Sequence, residues 1–295
     1  MAVVVAFSAL GSWLVFNHPA TGTPVSTAAA AVSPPSPSPS SAATAAAETA
    51  PPTTTAAGTA EALADAVDAP GGHFAVTVAD PASGAEATYG TDSFVTASIV
   101  KVDILAALLL QTGGELTDDQ RSAAALMIEQ SDNDAATALF QAAGGATGLD
   151  QANATFGLTA TVAGTDGYWG LTSTTAADQV RLLRAVFTDD SPLDAASRGY
   201  LGQLMGRVVD GQGWGVSAAD QGGAVELKNG WLPRTSTGLW VVNSIGRVQY
   251  DGRDLLVSVL SDGSTTQDEG VALVESVASA AVRVFTASGS TSPQP

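Results

Sequence analysis

The feature that most constrains the fold of this chain is an apolar run that is followed, two residues later, by Gly113-Gly114. Every residue from 104 to 110 is apolar, and in a water-soluble domain a helix without a polar face is enclosed by other elements. The two glycines supply a C-terminal stop for this helix. Ser98 and Lys101 lie three residues apart where the run begins, so a helix places a hydroxyl and an amine on one face.

The composition of the chain gives this pair more weight. Its only lysines are Lys101 and Lys228, and its other basic residues are arginines. Arginine stays protonated, whereas a lysine in a low-dielectric site can lose its proton and act as a base. A Ser-x-x-Lys pattern also recurs by chance, with a lysine that extends into solvent. The pair alone therefore leaves a functional and an ordinary interpretation open.

Charge and cysteine content exclude several classes of function. The 29 acidic and 11 basic residues give a net charge of -18, which repels nucleic acid phosphates, so no nucleic acid partner is predicted. Without cysteine the chain has no disulfides, no thiolate metal ligands and no cysteine nucleophile, and we predict neither a metal nor another cofactor. A Ser-His-Asp triad would have to use His73, because His18 lies in a segment that we expect to be unstructured.

The first part of the sequence does not have the pattern of a folded domain. Residues 1–17 are mostly apolar but shorter than the roughly 20 residues that span a bilayer, and we predict an export signal or a membrane anchor. Residues 18–58, rich in Pro, Ser, Thr and Ala, are predicted to be a disordered linker. The folded domain is assigned to residues 59–287, with a disordered tail at 288–295. We expect an exported monomer, either secreted or anchored at the cell envelope.

The pattern after residue 59 predicts an α+β domain. An alternating stretch before the core helix indicates a β-hairpin, and residues 116–157 read as helices alone, with a break at Gly144-Gly145. A two-residue turn at Asp251-Gly252 joins the last two of three further strands. These strands are predicted at residues 225–231, 239–250 and 255–261, before a final helix over 268–286. The prediction is a five-stranded antiparallel sheet flanked by helices, with an all-helical subdomain.

Ser131-Asp132-Asn133 lies at the junction of two predicted helices. Taken alone it is an ordinary helix cap, because all three residue types favour that position. The same residues could also do chemistry. A serine can pass a proton to a leaving nitrogen, and an asparagine amide can hold a substrate peptide group through its donor and its acceptor.

Lys228-Asn229-Gly230 also has two interpretations. Asn-Gly is a favourable two-residue hairpin turn, but Pro233 would cut the returning strand short. If the strand instead continues through Trp231, Lys228 brings a cation to the site, and Gly230 lets a ligand approach the backbone.

Taken together, the motifs resemble those of a known enzyme family. The sequences Ser98-Ile99-Val100-Lys101, Ser131-Asp132-Asn133 and Lys228-Asn229-Gly230, in this order and spacing, resemble the penicillin-recognising serine hydrolases, and most closely the class A β-lactamases. The predicted order of elements over residues 59–286 is similar to that family as well. The resemblance implies a β-lactamase/transpeptidase-like fold.

The resemblance also implies a role for each site residue. Ser98 would attack the carbonyl of a β-lactam or of a D-Ala-D-Ala peptide of peptidoglycan, and Lys101, in contact with it, would take its proton. Ser131 would relay a proton to the leaving nitrogen, and Lys228 would attract the substrate carboxylate. The remaining substrate-binding positions are Asn133, Asn229, Gly230 and Trp231, whose backbone N–H would form an oxyanion hole with that of Ser98.

Two departures from the family pattern bear on turnover. Asn229 stands where the family usually has threonine, although an amide can still donate to a carboxylate. The loop of residues 163–171 lacks the Glu and Asn that position and activate the deacylating water in hydrolytic members. Asp166 is its only carboxylate, and is either a deacylation base or a plain turn residue. Efficient β-lactam hydrolysis, slow deacylation, D-Ala-D-Ala carboxypeptidase-like action and a catalytically silent wall-binding or sensor module all stay open.

Overall fold

The computed structural model describes Ala62 and residues 72–289 of the chain. The predicted export signal and linker lie outside these residues, as does the end of the tail. The last helix reaches Gly289, so it takes up the first two residues that were assigned to the tail. The Ser288 hydroxyl donates to the carbonyl of Val284 one turn earlier.

Five strands form one antiparallel sheet in the order β2-β1-β7-β6-β5, as the sequence predicted. A separate two-stranded sheet pairs β3 with β4. The strands are β1 (His73–Ala79), β2 (Glu86–Tyr89), β3 (Phe94–Val95), β4 (Ser173–Thr174), β5 (Glu226–Pro233), β6 (Trp240–Tyr250) and β7 (Arg253–Ser264).

The two candidate hairpin turns have opposite outcomes. Asp251 and Gly252 have φ of 50° and 70°, the positive values that a type I′ turn requires, and they join β6 to β7 as predicted. The alternative turn at Asn229-Gly230 is wrong, because β5 continues through both residues to Pro233 and pairs with β6 throughout. Pro233 is tolerated there because β5 is an edge strand, where the N–H that proline lacks can face away from the sheet.

Seven helices complete the part of the fold that the structure describes. They are α1 (Val100–Thr112), α2 (Asp118–Glu129), α3 (Asn133–Ala142), α4 (Gly145–Phe156), α5 (Ala176–Phe187), α6 (Ala195–Met205) and α7 (Gln267–Gly289). The prediction that α1 is enclosed is confirmed, since every residue from Val100 to Leu109 is buried. It ends at Gly113, whose φ of 59° only glycine adopts readily.

The sheet separates two apolar layers, because alternate residues of a strand face opposite sides. On β7, Leu256 and Leu260 pack with α1 and its neighbouring helices. Leu255 and Val257 face the other way and pack against α7. The edge strand β5 lies beside the turn that precedes α1.

Candidate active site

Ser98 lies in a short 3-10 turn, Ala97–Ile99, directly before α1. Ala97 has a φ of 48°, in the left-handed region that disfavours side chains by roughly 1–2 kcal/mol. The backbone just before this turn is held by a side chain from strand β6. The buried amide of Asn243 donates to the carbonyls of Val95 and Thr96, at 2.8 and 3.0 Å. The strained turn therefore depends on tertiary contacts that hold the serine in place.

Gly230 brings β5 against this turn. A Cβ added to Gly230 would lie 2.7 Å from the backbone nitrogens of both Ser98 and Ile99, closer than real Cβ atoms approach. Only glycine lets the strand pass at this distance. The structure thus brings the first and third sequence motifs together, with Trp231 next along the strand from Gly230.

Lys101 joins the first motif to the second. Its Nζ donates to the Ser131 carbonyl at 2.6 Å, to the Ser131 hydroxyl at 3.0 Å and to Asn133 Oδ1 at 2.8 Å. Ser131 has a φ of 59°, and Asp132 accepts from the backbone N–H of Ala135 as the N-cap of α3. The second motif therefore serves both as a helix cap and as a set of ligands for Lys101.

Lys101 and Ser98, which the sequence placed in contact, are not joined by a hydrogen bond in the described structure. Among the described residues, no hydrogen bond joins the amine of Lys101 to the hydroxyl of Ser98, and that hydroxyl has no hydrogen-bond partner. The physical reason is competition: an ammonium has three donors, and three oxygens of the second motif already accept them.

Burial lowers the pKa of Lys101 to about 7, although the nearby charge of Asp132 acts in the opposite direction. The amine is fully enclosed, so its charged form is poorly solvated. Near neutral pH a large fraction of Lys101 is therefore uncharged and can accept a proton.

Lys228 is enclosed as well, and burial, followed by the positive charge of Lys101, holds its pKa well below the usual value of 10.5. Its Nζ donates to the backbone carbonyl of Asn229 at 3.0 Å and to Gln212 Oε1 at 3.4 Å. Both acceptors are neutral oxygens. Within residues 72–289 no carboxylate forms an ion pair with Lys228.

The side chain of Asn229 points away from this cluster. Its amide nitrogen donates to the carbonyls of Gln212 and Trp214, at 2.9 and 2.8 Å. Successive residues of a strand face opposite sides, so Lys228 and Gly230 share one face and Asn229 takes the other. The structure does not bring the Asn229 amide to the other site residues, and its predicted role in substrate binding stays a prediction.

The loop of residues 163–171 places an indole, not a carboxylate, beside the lysine. The ring of Trp169 lies 5.0 Å from Lys101 Nζ, and its Nε1 donates to Thr137 Oγ1 at 3.1 Å. Asp166 is exposed, has a φ of 54°, and within residues 72–289 its side chain accepts only from the Thr165 hydroxyl, at 3.4 Å. Its contacts are those of a turn residue, and its role as a base stays a prediction.

Sequence reasoning missed three residues at the site: Trp169, Gln212 and Asn243. Trp169 had a weak signal, as a large aromatic residue in a short Gly-rich loop. The other two had none, because their importance comes from contacts with residues distant in sequence. No group of three or more His, Asp or Glu side chains in the described part of the chain is arranged to hold a metal.

The sequence matches the Beta-lactamase enzyme family over residues 119–285, more than half of the chain. This stretch includes the second and third motifs and begins after Lys101. A search of curated protein sequences finds no match.

Solved structures show the same fold. An ancestral class A β-lactamase, reconstructed for the last common ancestor of Gram-negative bacteria, has 24% identity and a TM-score of 0.64, covering 77% of this chain and 100% of its own. A β-lactamase from Xanthomonas campestris has 22% identity and a TM-score of 0.64, covering 77% and 97%. A PBP-A mutant, solved as an acyl-enzyme complex with penicillin G, has 20% identity and a TM-score of 0.64, covering 78% and 96%.

At these identities the structural comparison shows the fold alone, whereas the match to the family model shows the family. The predicted fold class and the resemblance to class A β-lactamases are both confirmed. The chain belongs to the Beta-lactamase enzyme family and is a serine hydrolase with the class A β-lactamase fold.

Proposed function

We propose that this protein is an exported enzyme that forms an acyl-enzyme at Ser98 with β-lactams or D-Ala-D-Ala-like peptides and deacylates slowly. The observation that carries the proposal is the convergence of three motifs distant in sequence. Lys101 is bound by Ser131 and Asn133, and Gly230 packs against the backbone of Ser98. The proposed export rests on the composition of residues 1–58 alone.

Acylation can be written with these residues. The Ser98 oxygen forms a bond to the substrate carbonyl carbon, and its proton passes to Lys101. The uncharged amine has two donors for the three oxygens of the second motif, and its lone pair can turn toward Ser98. The C–N bond of the substrate then breaks, and the leaving nitrogen receives a proton through the Ser131 hydroxyl, which lies 3.0 Å from Lys101 Nζ. The backbone N–H groups of Ser98 and Trp231 are the proposed donors to the oxyanion.

Slow deacylation is supported by what surrounds Lys101. The Trp169 ring covers the amine on the side of the 163–171 loop, and an indole neither activates nor holds a water as a carboxylate would. Asp166, the only carboxylate of this loop, is exposed and bonded to its neighbour Thr165. A long-lived acyl-enzyme also suits a sensor or a D-Ala-D-Ala carboxypeptidase-like enzyme better than an efficient β-lactamase.

The test is intact-mass spectrometry of the full chain mixed with penicillin G and followed over time. The expected result is a persistent gain of one penicillin mass, which Ser98→Ala and Lys101→Ala abolish. Ser122→Ala, which alters an exposed serine of α2, is the matched control and should react like the parent. Rapid return to the free mass would contradict slow deacylation, and no adduct at any time would overturn the acyl-enzyme itself.

A further inference from the structure

Beyond the three motifs, residues 207–214 link the helical part of the site to β5. On one side, the N–H of Val209 donates to the carbonyl of Glu129 at 3.0 Å, and Arg207 pairs with the Glu129 carboxylate at 2.9 Å. On the other side, the Asn229 amide donates to the carbonyl of Gln212 at 2.9 Å. Gln212 is therefore held by its own backbone between the end of α2 and the strand that carries Lys228.

The side chain of Gln212 faces Lys228 and still has a free donor. Its Oε1 accepts from Lys228 Nζ at 3.4 Å, and its Nε2 donates to the carbonyl of Gln130 at 3.0 Å. A carboxamide nitrogen has two N–H groups, and one of them has no acceptor among the described residues. At 3.4 Å the contact with Lys228 is longer than an ordinary hydrogen bond, so a better acceptor can replace it.

The local charge favours an anion at this point. Lys228 is enclosed, its two acceptors are neutral oxygens, and no carboxylate among the described residues pairs with it. In its charged form, which a bound anion would favour, Lys228 has a third donor that is unused in the described part of the chain. A carboxylate bound at Lys228 would thus meet unused donors from both Lys228 and Gln212.

We propose that Gln212 is a substrate-binding residue that recognises, together with Lys228, the carboxylate of the substrate. This inference rests on the proposed function for the nature of the substrate. Gln212 takes the place that the sequence assigned to Asn229, whose amide donors are used on the carbonyls of Gln212 and Trp214. Asn229 then acts indirectly, because its hydrogen bonds hold the segment from which Gln212 reaches Lys228.

The test measures binding without chemistry, in full-length protein that carries Ser98→Ala. Calorimetry compares N-acetyl-D-Ala-D-Ala with the same peptide amidated at its C-terminus, which lacks the carboxylate. Gln212→Met keeps the length of the side chain and removes its donors, and should weaken binding of the acid about 10-fold, since the lost bond is to a charged group. Gln212→Glu places a competing carboxylate at Lys228 and should weaken it about 100-fold.

Neither substitution should change binding of the amide peptide by more than about 2-fold, because this peptide has no carboxylate for Gln212 and Lys228 to bind. Gln203→Glu, which adds the same charge at an exposed position of α6, is the matched control and should leave both affinities unchanged. Equal losses for the two peptides would show a merely structural role for Gln212. Unchanged binding of the acid, or no binding of either peptide to the Ser98→Ala protein, would overturn the inference.

These outcomes are separable from those of the mass experiment. If penicillin acylates Ser98 but the Gln212 substitutions leave binding of the acid peptide unchanged, only the inference fails. If no acyl-enzyme forms and the Ser98→Ala protein still binds the acid peptide through Gln212, only the proposed function fails.

Discussion

Asp103 offers a quantitative test of the energetics of the core helix. It is 1% exposed, in the first turn of α1, and one end of the Asn153 carboxamide lies 2.9 and 3.0 Å from its two oxygens. Burial raises the pKa of Asp103 from 3.8 to about 8, and the negative charges of Asp150 and Asp178 add to the effect. The hydrogen bond from Asn153 opposes it without reversing it.

The sign of the effect on stability follows from proton binding. Between pH 3.8 and about 8 the folded state keeps the Asp103 proton, whereas the unfolded chain loses it. Folding stability therefore decreases as the pH rises through this range. Each pH unit above 3.8 costs about 1.4 kcal/mol, which amounts to about 4 kcal/mol at pH 7.

Asp103→Asn removes the titration and keeps the shape and the amide contact. The variant should be similar to the parent near pH 4 and more stable by about 4 kcal/mol near pH 7, a rise in Tm of about 10 °C. The measurement is urea unfolding of both proteins at a series of pH values from 4 to 8. Asp119→Asn, at an exposed position in the first turn of α2, is the control and should change stability by about 0.5 kcal/mol or less. A difference between Asp103→Asn and the parent that stays constant with pH would refute the reasoning.

Three further predictions concern the site itself. The rate of acylation by penicillin G, measured between pH 5.5 and 9, should rise through a pKa of about 7 and then level off, because Lys101 must be uncharged to accept a proton; a flat profile would exclude it as the base. Gly230→Ala should slow acylation about 100-fold, since its Cβ would displace Ser98, and an unchanged rate in the mass assay would show that β5 can move aside. Asn243→Asp replaces the two donors to Val95 and Thr96 by an acceptor and should lower the free energy of unfolding by about 2 kcal/mol; equal urea midpoints would contradict this.

The elements that the sequence predicted correctly are those with local causes. The enclosed helix follows from its apolar run, its end from Gly113, and the β6–β7 turn from Asp251-Gly252. Asn229-Gly230 has the same local pattern as a turn and is nevertheless part of a strand. Pairing with β6 over the whole length of β5 outweighs the turn preference of two residues.

The sequence predicted which motifs form the site, but it did not predict which atoms of these motifs contact one another. As the motif order indicated, Ser131 contacts Lys101, and Gly230 packs against the backbone of Ser98. Which oxygens Lys101 bonds to depends on the left-handed backbone of Ser131, and no pattern in the sequence specifies that conformation. Asn243 lies far from the motifs along the chain, so only the folded structure shows that it holds the backbone before Ser98.

The enclosure of both lysines has a practical consequence for labelling. Reagents that modify aliphatic amines, such as succinimidyl esters, have no surface lysine to attack anywhere in this sequence. Apart from the α-amino group, the aliphatic amines of this sequence are those of Lys101 and Lys228, and both are buried. Dyes and surface supports are therefore better attached through carboxylates, and any lysine that such a reagent does modify would report that the structure around it has opened.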